Sequence, residues 1–226
     1  VTSDNLHKLL DHVDYFVNKA FQDVFTQDLS NLQGTNQLIR DVVDRQLRSV
    51  IERDEARAPF YLKGLERSDY QATLSLDGPE KAAFVRLKGT VDRVEADEEG
   101  NIHILDYKTG RGEAKAKADV SYYFQHPENC RTSLQLLWYT YLYRQSEADA
   151  GQSLYPGIYP IKGTSKPINY LANGIAITDE HLTELEANLR EQLNTLFDPD
   201  VPFTQTENLG TCKHCAYNAI CYRQDS

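Results

Sequence analysis

An aspartate stands inside each of two neighbouring apolar runs of strand character: Asp92 in residues 82–96 (AAFVRLKGTVDRVEA) and Asp106 in residues 102–107 (IHILDY). Aspartate is a poor strand residue, so its presence in both runs demands a reason. The residues between them, Asp97-Glu98-Glu99-Gly100-Asn101, have turn composition and predict a hairpin. Counting outward from the turn centre sets Asp92 opposite residue 105 or 106. Directly opposed residues of an antiparallel pair face the same side, with Cβ atoms about 5 Å apart. In the 92-to-106 register two carboxylates face each other, which is destabilising unless a cation lies between them. A divalent metal removes the repulsion, and hard oxygen ligands favour Mg²⁺ or Mn²⁺. Such an ion lowers the pKa of a bound water and stabilises charge on a phosphoryl group. Lys108 shares a strand face with Asp106 and can orient or deprotonate that water, or neutralise developing charge. In the competing reading, Asp92 and Asp106 are exposed strand residues with Arg93 and Lys108 as surface partners. The conjunction of two aspartates inside apolar runs favours the metal.

The rest of the chain supplies helices around this hairpin. Residues 5–26 place Leu6, Leu9, Leu10, Val13, Phe16, Val17 and Phe21 at helical spacing, and residues 35–56 repeat the pattern. A strand is expected at 69–76. Residues 110–129 read mainly as loop, and 131–145 (RTSLQLLWYTYLYRQ) as a strongly apolar helix. Gln135 and Tyr139 lie four apart on it and so share a face. Two further strands are expected at 154–162 and 167–177, the prolines of the first suggesting an edge position. Thr178 is a suitable N-cap for a helix over 178–196. No linker divides the chain into independent domains.

Composition narrows the class. The 226 residues are ample for a real core. With 24 Lys+Arg against 34 Asp+Glu, the net charge of −10 argues against a general polyanion binder. It leaves room for a nucleic-acid enzyme, because metal ions make a site locally positive. No apolar run approaches a membrane span and no signal segment opens the chain. Met is absent and the chain begins at Val1, which suggests a fragment of a longer protein. Three of the four cysteines, Cys212, Cys215 and Cys221, fall within ten residues, unlike a spread disulfide framework. An intracellular, cytoplasmic protein with a metal or cluster site is the expectation.

The succession Gly89-Thr90-Val91-Asp92-Arg93, Asp106-Tyr107-Lys108-Thr109-Gly110 and Gln135-Leu136-Leu137-Trp138-Tyr139 resembles the PD-(D/E)XK nuclease superfamily, and most of all its RecB/AddB-type exonuclease branch. His7, in Leu6-His7-Lys8-Leu9-Leu10, resembles that branch's early helical histidine, although Ser3 stands where the branch usually has a glycine. The resemblance implies an α/β, restriction-endonuclease-like domain with a mixed central sheet flanked by helices. It implies Asp92, Asp106 and the Tyr107 carbonyl as ligands of Mg²⁺ or Mn²⁺, with His7 as a further ligand or a gate to the metal site. It implies Lys108 as the catalytic lysine, and Gln135 and Tyr139 as residues that position the lysine, the water or the DNA backbone. The implied activity is metal-dependent exonucleolytic hydrolysis of DNA, with helicase domains of the same or a partner chain, in recombination or repair. A nuclease-like domain that binds DNA without cutting it is the alternative.

The nuclease domain is expected over 1–197, with 198–226 as a Cys-rich tail packed on it. Cys212, Cys215 and Cys221 resemble the C-terminal part of an iron–sulfur motif in AddB-like and CRISPR-associated nucleases, whose first cysteine precedes the early histidine. This chain has none there, so a [4Fe-4S] cluster is expected only in a longer protein. A zinc knuckle using Cys130 or His214, and simple thiols or a disulfide, are the other readings.

Overall fold

The computed structural model describes residues 1–24, 33–76, 83–110, 113–147, 151–162, 167–213 and 215–223. A sheet of five strands runs through the chain in the order β1 (Tyr61–Arg67), β4 (Val91–Ala96), β5 (Ile102–Lys108), β6 (Leu154–Pro160), β7 (Asn169–Tyr170). β5 and β6 are parallel and the other neighbours antiparallel. β2 (Gln71–Leu76) and β3 (Ala83–Lys88) form a separate antiparallel pair. The expected mixed sheet flanked by helices is therefore present.

The apolar stretch 5–26 is two helices, α1 (Ser3–Leu10) and α2 (Val13–Val24), rather than one; residues 25–26 lie outside the described residues. The break frees carbonyls at the end of α1, and the Arg48 guanidinium meets that of Leu10 at 3.0 Å. Leu6, Val13, Val17 and Phe21 then pack with Ile51 of α3 (Thr35–Arg57) and with Phe60 as a small core of their own.

The run 82–96 is also two elements, and residue 82 lies outside the described residues. β3 and β4 enter different sheets across Gly89-Thr90. A Cβ on Gly89 would lie 3.2 Å from both Leu142 Cδ1 and Trp138 Nε1, so glycine lets the strand pass close under α5 (Pro127–Ser146). Part of the expected loop 110–129 is helical. Asp119 caps α4 (Val120–Gln125) by accepting from the Tyr122 N–H, and Pro127 opens α5 at the position where a missing N–H is harmless.

β6 is interior, not an edge, despite Pro156 and Pro160. Its Ser153 carbonyl and Ile161 N–H bond to β5, so odd-numbered residues face that strand. The proline nitrogens face the other side, where β7 pairs only with Gly157 and Ile158 and demands no donor from them. The strand expected over 167–177 shrinks to β7, followed by a turn with Ala172 and Asn173 left-handed and a single bridge from Ile177 to Leu154. Thr178 does cap a helix, α6 (Asp179–Phe197), and His181 reaches back to its N–H.

The main core lies between one face of the sheet and α4, α5 and α6, with Val94, Ile102, Ile104, Leu136, Leu137 and Leu142 fully enclosed. Each such side chain contributes about 1.5–3 kcal/mol by leaving water. The opposite face of β4 and β5 meets α3. Among the described residues no helix is long and apolar enough to cross a membrane.

Candidate active site

The hairpin register runs from Ala96↔Ile102 to Arg93↔Leu105. One step further, Asp92 stands opposite Asp106, the register that brings the two carboxylates together. Alternation then sorts the hairpin. Asp92, Val94, Ile104, Asp106 and Lys108 point towards α5; Arg93, Glu95 and Tyr107 point towards α3.

Asp106 is only 2% exposed. Burial raises its carboxyl pKa; the Lys108 ammonium works against that rise and the charge of Asp92 adds to it. Its Oδ2 pairs with Lys108 Nζ at 2.7 Å. Asp92 Oδ2 accepts the Tyr107 backbone N–H at 2.8 Å, which fixes the side chain beside the end of β5. Lys108 Nζ also donates to Gln135 Oε1 at 3.0 Å, and Gln135 Nε2 donates to Tyr139 Oη at 2.9 Å. Helical spacing places these two α5 residues one turn apart. The structure thus joins Asp92, Asp106, Lys108, Gln135 and Tyr139 at one place, the C-terminal end of β5 beneath α5.

His7 is not part of this group. Its side chain is 74% exposed on α1, with Nδ1 3.4 Å from Glu55 Oε1. Among the described residues no three His, Cys, Asp or Glu side chains gather as a metal cage. The pair Asp92 and Asp106 still suits a hard divalent cation. Asp106 is buried and the charge of Asp92 raises its pKa further, a repulsion that such an ion would relieve.

The cysteines offer no comparable cage. Cys212, on the short helix α7 (Leu209–Cys212), is buried, Cys215 exposed and Cys221 between, and all four thiols are free. Their residues do not converge, so the described residues do not fit an iron–sulfur cluster. Cys130 belongs to the main core, where burial raises its pKa. His214, the other zinc candidate, lies outside the described residues.

Arg93 is no surface partner. It is 3% exposed, donating to Asp54 Oδ2 at 2.6 Å and to Glu95 Oε2 at 2.7 Å. Arg57 donates to the same two carboxylates, to Glu95 Oε1 at 2.6 Å and to Asp54 Oδ1 at 2.9 Å. The four side chains close a ring of two positive and two negative charges between α3 and β4. The sequence held one signal of it, the Asp54/Arg57 pair in the last turn of α3.

A mixed sheet with opposed carboxylates and a lysine at one strand end defines a restriction-endonuclease-like domain. Residues 3–222 match the PD-(D/E)XK nuclease superfamily, and the chain belongs to it. Membership implies nuclease activity and, as is typical of the superfamily, use of divalent metal. No curated protein matches the chain. A solved structure described as "Crystal structure of SSO0001" is similar at 13% identity, covering 92% of this chain and 94% of its own, with a TM-score of 0.34.

Proposed function

We propose that this domain hydrolyses DNA phosphodiester bonds with Mg²⁺ or Mn²⁺ held by Asp92 and Asp106. The observation that supports this best is the continuous chain from Asp106 through Lys108 and Gln135 to Tyr139. The Tyr107 carbonyl is a third ligand in this reading; His7, exposed on α1 beside Glu55, stands outside the group. When bound, the cation would supply Lewis-acid stabilisation of phosphoryl charge and a more acidic water. The protein's own residues do the rest. Asp92 and Asp106 set the position of the reacting phosphate relative to the sheet. Lys108 presents its ammonium at the site edge, where it can neutralise charge as phosphorus is attacked. Gln135 accepts from Lys108 and so fixes the direction of that ammonium; Tyr139 fixes Gln135 in turn.

Exonucleolytic cutting, helicase domains in the same or a partner chain, and a role in recombination or repair extend this reading by family resemblance. The net charge of −10 suits a domain that is fed its strand by other modules rather than one that captures DNA alone.

The test incubates the protein with linear single- and double-stranded DNA, with and without Mn²⁺ or Mg²⁺, beside Lys108→Ala. Cutting that needs both the metal and Lys108 is the expected result. Metal-dependent cutting that survives intact in Lys108→Ala would sink the assignment. DNA binding without any cutting would favour the silent, strand-holding alternative.

A further inference from the structure

The ring of Asp54, Arg57, Arg93 and Glu95 is buried to a degree that stability alone does not explain. Glu95 is 1% exposed, Arg93 3% and Asp54 6%. Arg57 is partly exposed, but removing the other three charges from water is costly, and well-packed apolar side chains of similar volume often serve a fold as well or better. The ring is nevertheless complete. Each carboxylate accepts from both guanidinium groups, and Arg93 lies 5.0 Å from the Phe60 ring centroid and 5.7 Å from that of Tyr159. Tyr159 Oη donates to Asp54 Oδ1 at 3.0 Å, closing the far side.

One contact leads from the ring to the opposite face of the sheet. Arg93 Nη1 donates to Tyr107 Oη at 3.1 Å. The Tyr107 backbone N–H in turn donates to Asp92 Oδ2 at 2.8 Å. Asp92 and Arg93 are adjacent on β4 and point to opposite faces, so the strand itself is a second link. The ring ties the strand at Arg93, the ring of Tyr107 is tied to Arg93, and the peptide of Tyr107 holds one oxygen of Asp92. The charge of Asp92 is felt at the Asp106 carboxyl, whose pKa it helps to raise.

We propose that Arg93 and Tyr107 are positioning residues: the buried ring acts through the Tyr107 hydroxyl to hold the Asp92 carboxylate where a divalent cation shared with Asp106 requires it. This rests on the metal reading above. Outer partners that orient a metal ligand commonly change affinity by about 10–100-fold when removed.

Arg93→Ala is the obvious variant, but it strands two buried carboxylates and endangers the fold. Tyr107→Phe deletes only the hydroxyl and keeps the backbone N–H and carbonyl. Tyr159→Phe deletes another hydroxyl on the same ring, one that bonds Asp54 rather than Tyr107. Calorimetric titration with Mn²⁺ compares both with the parent and with Asp106→Asn. The expected result is an Mn²⁺ Kd raised about tenfold in Tyr107→Phe, with DNA cleavage recovered at saturating Mn²⁺ and KM for DNA unchanged. Tyr159→Phe is expected to lower Tm and leave the Mn²⁺ Kd at the parent value. A parent-like Kd in Tyr107→Phe overturns the proposal, and so does an equal loss in Tyr159→Phe, which would mean general loosening. A parent that does not bind Mn²⁺, or an Asp106→Asn variant that binds like the parent, overturns the metal reading itself and is told apart on that ground.

Discussion

Lys108 Nζ lies 2.7 Å from Oδ2 of Asp106, its neighbour but one on β5. The ion pair relieves charge at a carboxyl whose pKa burial pushes upward. With the folded value above the unfolded one, the folded chain binds the extra proton in the window between them. Asp106 therefore makes the metal-free protein more stable as pH falls through the raised folded value, an effect complete below the unfolded value of about 3.9. A cation needs the ionised carboxylate, so Mn²⁺ affinity falls through the same window. Thermal melts with and without Mn²⁺ across pH should show the metal-induced rise in Tm shrinking on acidification, beginning above the ordinary aspartate range. Asp106→Asn should abolish that rise at every pH. A rise in the parent that is flat down to the ordinary range would contradict the assignment.

Gln135 has one acceptor and one donor group, and both are engaged: Oε1 by Lys108 and Nε2 by Tyr139. Gln135→Leu frees the ammonium, while Tyr139→Phe leaves Gln135 in place but unanchored. Steady-state cleavage should therefore show the larger loss in kcat for Gln135→Leu, on the order of the 10²-fold that marks a misplaced catalytic group, and a smaller one for Tyr139→Phe. Because Tyr139 acts through Gln135, the double variant should be no worse than Gln135→Leu. Additive losses would mean that Tyr139 acts on its own.

The carboxylate hairpin was legible because aspartate inside an apolar run is locally inconsistent, and such inconsistencies concentrate at sites. Gln135 and Tyr139 followed from helical spacing and resemblance. The charged ring was not legible, since Arg93 meets Asp54 across 39 residues and no local period encodes that contact. On sequence alone Arg93 looked like a solvated neighbour of Asp92. β1 also escaped notice. It is an edge strand whose residues are largely exposed, so Tyr61–Arg67 carries no apolar alternation. The split of 82–96 was hidden because both halves have strand character and only Gly89 marks the change of sheet. β6 shows the converse: its prolines pointed to an edge, but the side that needs no donors is set by how short β7 is.

Gly89 couples the sheet to the helix that carries Gln135. A Cβ there would lie 3.2 Å from Leu142 and Trp138 and 3.3 Å from Tyr139. Alanine asks for a shift of a few tenths of an ångström; valine asks for more and drives α5 from β4. Overpacking of this kind costs about 1–3 kcal/mol, which denaturant unfolding of Gly89→Val should show. Since Trp138 and Tyr139 flank the obstruction, activity should fall further than the lost stability accounts for at temperatures where the variant is fully folded. Full activity in a destabilised but folded Gly89→Val would show that the seating of α5 does not matter to the site.

The four thiols differ in surroundings, and their reactivity should rank accordingly. Cys130 sits in the main core, 1% exposed, with its pKa raised by burial; both effects deprive a reagent of thiolate. Cys215 is exposed and Cys221 partly so, while Cys212 is covered within the tail, with Arg223 Nη1 3.7 Å from its sulfur. Alkylation of the native protein with iodoacetamide, followed by peptide mass spectrometry, should label Cys215 first and Cys221 next, with Cys212 slow. Cys130 should label only when the domain unfolds. Among the described residues the tail is held by hydrogen bonds of its own, such as Gln205 to the Cys221 carbonyl and Arg223 to the Thr206 carbonyl. Cys212 should therefore become reactive at lower denaturant than Cys130, in a transition separate from that of the core. Simultaneous exposure of both thiols would instead mean that tail and core unfold as one unit.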